Sequence, residues 1–206
     1  MLQIRLNGAA TWLAWRCSNR WVSLSLVVAI VGVDAVLLRR SFGFAVRALM
    51  DEPCHLATAL IVLGTMTRWR GRPPSVPFTW AMLIASVAID VDHLPAELAA
   101  RGMLYGHLPR PYTHALWLPL LLAVIAVVAA RRARPGGRGR AATVAAVFAG
   151  ASWGLAAHFF RDVATAPISL LWPVSGAWLQ VPYGWYLGPL VLLAILPVPL
   201  PSRLRG

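Results

Sequence analysis

Residues 142–160 read ATVAAVFAGASWGLAAHFF and are followed two positions later by Asp162. Before His158, this run has only Thr143 and Ser152 as polar side chains, and its length is close to the roughly 20 apolar residues of a transmembrane helix. It ends in a histidine and an aspartate four positions apart, and burying such groups at the end of a span usually marks a functional site. The stretch therefore predicts a membrane helix that carries a polar site at its end.

The composition of the whole chain is that of a membrane protein. Its 206 residues are 59% hydrophobic, and the mean hydropathy of +0.66 is too high for a soluble domain. We predict a single membrane domain over 1–206. The formal charge of +12 comes from nineteen arginines and no lysine, and these cluster beside apolar runs. That pattern is typical of contact with anionic lipid, so we expect membrane lipids as partners and no nucleic acid.

Apolar runs predict six helical segments and hence an all-α, polytopic membrane helical bundle. The segments cover about 21–38, 53–67, 78–91, 115–130, 142–160 and 185–200. Several are shorter than a perpendicular span, since 78–91 would cover only about 20 Å of a hydrocarbon core about 30 Å thick. Either that helix continues through polar residues, or its end lies at lipid depth in a cavity open to water.

The arginines also predict an orientation. The densest basic segment, 131–141, holds five of them and should be cytoplasmic. Alternating from there puts thirteen arginines inside and six outside, with the N-terminal segment 1–20 and both termini on the cytoplasmic side. We therefore expect a multi-pass protein of a bacterial-type inner membrane.

Groups that could bind a metal or move a proton are concentrated in four short stretches. These are 51–55, 90–93, 107–114 and 158–162, and they contain all five histidines and five of the seven acidic residues. The predicted orientation puts all four stretches at the outer face. A chain this poor in carboxylates has little reason to group them with histidine for solubility, so we predict one polar site at the extracytoplasmic face.

The spacing within these stretches favours metal ligands. His158 and Asp162 would project from one helix face, where the carboxylate either binds the same ion or orients the imidazole. Asp90, Asp92 and His93 can converge on a cation at a helix end. The predicted ligands share a position at the end of an apolar segment: they are His55, Asp90, His93, His114, His158 and Asp162.

The first polar stretch supports two interpretations. Asp51 and His55 have the same four-residue spacing, and an unpartnered imidazole one turn inside an apolar helix would be costly. Asp51 is also typical of an N-cap, because Pro53 would fall in the first turn of a helix that starts there. Segment 39–52 would then be a separate interfacial helix, since it mixes arginine with large apolar residues.

Nitrogen and oxygen ligands without thiolates suit a divalent metal: zinc first, with manganese or iron as alternatives, and one or two ions. Such a site lowers the pKa of a bound water and polarises an ester or phosphoester oxygen. A carboxylate among Asp51, Asp90 and Asp92 could act as the general base. Arg110 could hold a phosphate or carboxylate of the substrate, or instead reach lipid headgroups. We therefore predict Asp51, Asp92 and Arg110 as the catalytic residues.

In order and spacing, residues 51–175 resemble the YdjM/YbcI-like (DUF457) family of inner-membrane, metal-dependent hydrolases. The matching motifs are His55 to Ala59, Asp90 to Pro95, Arg110 to His114, and His158 to Asp162 followed by Leu170-Leu171-Trp172-Pro173. Two positions differ from the family pattern: Pro109 stands where a histidine usually precedes the arginine, with His107 two residues further back, and Ala115 replaces a common serine. The resemblance implies a metal-dependent hydrolase core and names no substrate.

The favoured hypothesis is a membrane hydrolase that acts on an ester or phosphoester, with lipids among the candidate substrates. One alternative is a transporter or channel for metal ions or protons. Against it, the polar groups gather at one face and segment 115–130 contains none. The other alternative is a structural membrane protein whose polar site only holds helices together.

Overall fold

The computed structural model describes residues 2–92, 113–133 and 139–196, with the side chains of these residues apart from 2–7, 44 and 92. Within these ranges the chain forms seven α-helices and no strand: α1 (Leu2–Ser18), α2 (Arg20–Arg39), α3 (Phe44–Arg70), α4 (Val76–Ala88), α5 (Trp117–Arg132), α6 (Arg140–Thr165) and α7 (Gly184–Ile195). A 3-10 turn, Ile89–Asp92, continues α4. The predicted all-α class is confirmed for the described residues.

Two helices differ from the sequence prediction. The helix α1 was not expected, because Arg5, Arg16 and several polar residues interrupt its apolar pattern. The helix α3 already begins at Phe44, so Pro53 lies inside it and 39–52 is not a separate interfacial helix. The N-cap interpretation of Asp51 is therefore wrong. A proline inside a helix removes one backbone donor at a cost of about 3 kcal/mol, and the burial of the residues that follow it offsets this cost.

Among the described helices, α2 and α6 are long and apolar enough to cross a membrane, and α4 and α7 are apolar but shorter. In the most apolar stretch of 18 residues of each helix, only 22% is buried in α2 and 33% in α6. Their apolar side chains therefore lie mostly on the surface, which is the reverse of a core helix in a soluble protein. These features fit a membrane protein. The six spans and the orientation of the termini stay predictions.

The chain divides into two compact units: Met1–Val76 with Leu187–Gly206, and Pro77–Tyr186. In the first unit, α3 packs against α1 and α2. A Cβ at Gly64 would overlap the carbonyl oxygen of Cys17, so the contact between α3 and α1 needs glycine at this position. Cys17 and Cys54 are both buried thiols that form no disulfide. Burial raises the pKa of the Cys17 thiol to about 11, so this thiol is protonated at neutral pH.

Arg68, in the last turn of α3, connects several helix ends of the first unit. Its guanidinium is buried and donates to the carbonyl of Ser18 at 3.2 Å, to Ser23 Oγ at 3.3 Å, to Thr65 Oγ1 at 2.9 Å and to the carbonyl of Leu193. Ser18 ends α1 and Leu193 lies in the last turn of α7. Such carbonyls lack intrahelical partners and form the negative end of the helix dipole, so a cation stabilises them.

In the second unit, α6 packs along α5 and touches α4 through two glycines. A Cβ at Gly150 would overlap the carbonyl oxygen of Phe78, and a Cβ at Gly154 would overlap that of Met82. The contacts advance by four residues on both helices, one turn at a time. Only glycine allows the two backbones to approach this closely.

Candidate metal centre

The glycine contact between α4 and α6 fixes the position of His158. Four residues after Gly154 on α6 comes His158, and four residues after Met82 on α4 comes Ser86. His158 Nδ1 lies 2.9 Å from the backbone carbonyl oxygen of Ser86. Because a carbonyl only accepts, Nδ1 carries a proton, and the neutral tautomer that fits this contact has its lone pair on Nε2. This is the tautomer that a metal ligand requires, held by the kind of outer contact that usually orients one.

His158 belongs to a cluster of four side chains. They are Asp90 from the 3-10 turn after α4, His114 from the turn before α5, and His158 and Asp162 from consecutive turns of α6. The closest distances are 2.9 Å between His114 Nε2 and Asp90 Oδ1, and 3.0 Å between His158 Nε2 and Asp162 Oδ2. Between the two His–Asp pairs, His158 Nε2 lies 3.3 Å from Asp90 Oδ1, and His114 Nε2 lies 3.7 Å from Asp162 Oδ2.

These separations suit ligands of one ion. A tetrahedral metal with bonds of about 2.1 Å has ligand–ligand distances of about 3.4 Å, and the four distances between His nitrogens and Asp oxygens lie around that value. All four ligand atoms are within 4.8 Å of one another, so two carboxylates are crowded at a largely buried point. Such crowding is unfavourable without a cation. The group could therefore hold a metal ion.

The surroundings of the two imidazoles are apolar and aromatic. The ring of His114 lies edge-on to that of His158, with 5.4 Å between centroids, and 5.6 Å from the ring of Phe159. Three of the four side chains are fully buried, and Asp90 is 18% exposed. Solvent therefore reaches the group at Asp90, while the low-dielectric surroundings strengthen electrostatic interactions inside it.

The other predicted site residues have different positions. His55 and Asp51 belong to the first unit, where they lie on consecutive turns of α3 with 3.8 Å between His55 Nε2 and Asp51 Oδ2. The backbone of Asp92 ends the 3-10 turn. The side chain of Asp92, together with His93 and Arg110, lies outside the described residues. The roles of these five residues stay predictions.

The sequence analysis missed the residues that orient His158. Gly150 and Gly154 form a Gly-x-x-x-Gly pattern, which is typical of close helix packing in membranes and could have been recognised one turn before His158. The carbonyl of Ser86 gives no sequence signal, because every residue has a carbonyl. Its role depends only on the distance between α4 and α6.

Comparison with known families gives one match. A family model described as YdjM inner membrane protein matches residues 50–203, a range that includes all four residues of the metal centre. No curated protein and no solved structure matches the chain.

Proposed function

Because this chain belongs to the YdjM inner membrane protein family, and because its His and Asp side chains form one cluster, we propose that it is a metal-dependent hydrolase of the inner membrane. The substrate would be an ester or a phosphoester. The observation that carries the proposal is the set of four converging ligand atoms, in which the Ser86 carbonyl fixes the tautomer of His158.

The donor set indicates which metal would bind. Two imidazole nitrogens and two carboxylate oxygens suit zinc, with manganese or iron as alternatives. When bound, such an ion lowers the pKa of a coordinated water and polarises the ester or phosphoester oxygen. We assign His114, His158, Asp90 and Asp162 as the core ligands. His55 belongs to the first unit and His93 lies outside the described residues, so the ligand roles predicted for them from the sequence stay predictions.

Other residues would act on the substrate. Asp92 follows Asp90 by two positions at the end of the 3-10 turn, and we assign it as the general base. Arg110 lies four positions before His114 in the sequence and would hold an anionic group of the substrate. Because Asp90 is the partly exposed ligand, substrate would approach on its side of the centre.

A structural role is the second candidate, and the close distances favour it. His114 with Asp90 at 2.9 Å and His158 with Asp162 at 3.0 Å are also the separations of hydrogen-bonded pairs that need no metal. Such pairs would hold α4, α5 and α6 together without catalysing a reaction. Metal content separates the two candidates.

The deciding experiment is elemental mass spectrometry on the detergent-purified full-length protein. We expect close to one zinc or manganese per chain in wild type, and loss of the metal in His158→Ala and Asp90→Ala. Asp34→Asn is the matched control, because Asp34 is a buried carboxylate on α2 outside the cluster and its replacement should leave the metal in place. Thermal melts establish that each variant is folded.

The outcomes separate hydrolase from structural protein. Metal in wild type and in the Asp34 variant, but not in the folded cluster variants, supports the hydrolase and justifies assays on phospholipids and soluble phosphoesters. A wild-type protein that takes up no metal, even after incubation with zinc or manganese, would refute the proposed mechanism and leave the structural role.

A further inference from the structure

The segment between α6 and α7 has an unusual composition for a loop beside a polar site. No residue from 163 to 202 is charged or a histidine. We define the site loop as residues 166–183, and it contains Trp172 and Trp178. Loops that face water are normally rich in polar and charged residues. The composition of the site loop instead suits contact with an apolar medium.

Large apolar side chains of the site loop lie on the surface of the chain. Val174 is 94% exposed, Leu171 is 52% exposed, and Trp178 and Leu179 are also exposed. Trp185, in the first turn of α7 directly after the loop, is 70% exposed. So many exposed large apolar side chains within one short segment mark contact with a membrane or with another protein.

The base of the site loop is fixed beside the metal centre. The N–H of Leu116, two residues after His114, donates to the carbonyl of Leu170 at 2.9 Å. The N–H of Val181 donates at 2.8 Å to the carbonyl of Val163, which directly follows Asp162. The loop is therefore hydrogen-bonded next to ligands on both α6 and the turn before α5. A partner that contacts the exposed part of the loop therefore lies near the candidate metal centre.

The apolar surface continues onto α5, which indicates lipid as the partner. Leu120, Val124 and Val127 lie on one face of α5 and are exposed. The rings of Trp117, at the start of α5, and Trp172, in the site loop, are 6.2 Å apart. Tryptophan favours the level of the lipid headgroups, between the apolar chains and water. A bilayer covers such a loop and helix face together, without the need for complementary charge.

We propose that the site loop inserts into the lipid–water interface, and that the adjacent metal centre takes a substrate held in the bilayer: an amphiphile with acyl chains next to its ester or phosphoester group. The membrane contact stands independently. The substrate class rests on the proposed hydrolase function.

Membrane contact is tested on the full-length protein in vesicles of phosphatidylethanolamine and phosphatidylglycerol. Val174→Cys is labelled with bimane, and the matched control is Arg140→Cys, at the exposed opposite end of α6. Wild type sets the background, since both of its cysteines are buried. We expect lipid spin-labelled near the headgroup to quench the label at 174 and iodide to leave it unquenched, with iodide quenching at 140. Quenching at 174 by iodide and not by lipid would overturn the proposal, as would shielding from both, which indicates a protein partner or a second copy.

Substrate class is tested with phosphatidic acid, phosphatidylglycerol and phosphatidylethanolamine, each as a dioleoyl lipid in vesicles and as a soluble dihexanoyl analogue. For the Val174→Asp variant we expect the ratio of dioleoyl to dihexanoyl hydrolysis to fall by about two- to fivefold, because a charge in the interface weakens insertion. Its metal content should equal that of wild type. An unchanged ratio, or hydrolysis of the soluble analogues alone, would overturn the lipid substrate. A wild type without metal would refute the hydrolase instead, and would leave the quenching result intact.

Discussion

At His158 the two ring nitrogens have different partners, and this difference makes the residue suitable as a ligand. Nδ1 lies 2.9 Å from the Ser86 carbonyl oxygen, whereas Nε2 lies 3.0 Å from Asp162 Oδ2 and 3.3 Å from Asp90 Oδ1. The sequence could predict the pairing with Asp162, because residues four apart share a helix face. It could not predict the tautomer, because this depends on a backbone carbonyl of another helix.

His55 is the residue whose role a single variant would test best. If His55 is a metal ligand, as the sequence predicts, His55→Ala should weaken zinc binding at least about tenfold, which competition with a chromophoric chelator measures. Thr58→Val is the control, because Thr58 is buried one turn further along α3 and its hydroxyl donates to the backbone carbonyl of Cys54. Unchanged zinc affinity in His55→Ala would refute the ligand role predicted for His55.

At the scale of elements, the contact between α4 and α6 determines the ligand geometry. The contacts Gly150 with Phe78, Gly154 with Met82 and His158 with Ser86 follow one another at intervals of one helical turn. The two glycines therefore set the interhelical distance at which the Ser86 carbonyl reaches the imidazole.

Gly154→Ala should affect stability and metal binding together. The added methyl group would overlap the Met82 carbonyl and force α6 away from α4, at a cost of about 1–3 kcal/mol in unfolding free energy. The same shift would lengthen the hydrogen bond of His158 and lower the zinc affinity. Gly32→Ala on α2 is the control: no atom lies within 4 Å of its Cβ position, so the protein should be unchanged or stabilised by up to about 1 kcal/mol. Denaturation curves and zinc titrations that do not distinguish the two variants would contradict this account.

Arg68 gives a second prediction at this scale, confined to the first unit. Arg68→Met would leave the Ser18 carbonyl without the guanidinium that donates to it, and the Leu193 carbonyl with only the Thr65 hydroxyl as a side-chain donor, so we expect a loss of about 2–4 kcal/mol in unfolding free energy. Arg70→Met, on the same helix but exposed, should change stability by less than about 0.5 kcal/mol. Equal denaturation midpoints for the two variants would show that the buried guanidinium stabilises nothing.

The sequence predicts some elements better than others, for a physical reason. A long apolar run has few alternatives to a buried or lipid-facing helix, and α2 and α6 were predicted within a few residues of their observed ends. The helix α1 and the first turns of α3 combine arginine with apolar residues, so only their packing reveals them as helices. Pro53 was misread because local rules favour proline at a helix start, whereas the buried residues of α3 determine the outcome.

At the scale of the whole molecule, the sequence indicated a membrane protein and the polar groups that could form its site. Burying charge in an apolar chain is costly, so charged residues there usually mark function. The sequence did not reveal which of these groups converge. Asp90, His114 and His158 come from segments far apart in the chain, and their meeting point depends on how α4, α5 and α6 pack. The division into two units, with Asp51 and His55 in the first and the cluster in the second, likewise has no local sequence signal.

Because its four side chains come from three separate segments, the proposed metal centre should couple metal binding to folding. An ion that binds the native chain and not the unfolded one adds about 4 kcal/mol of stability at a free concentration 1,000 times its Kd. For a chain of this length, a chelator should then lower the Tm of wild type by about 10 °C, and stoichiometric zinc should restore it. His158→Ala should melt at a Tm that neither treatment changes, because it lacks the site. If the chelator leaves the wild-type Tm unchanged, the His–Asp pairs hold the helices without an ion, and the structural role becomes the better account of the cluster.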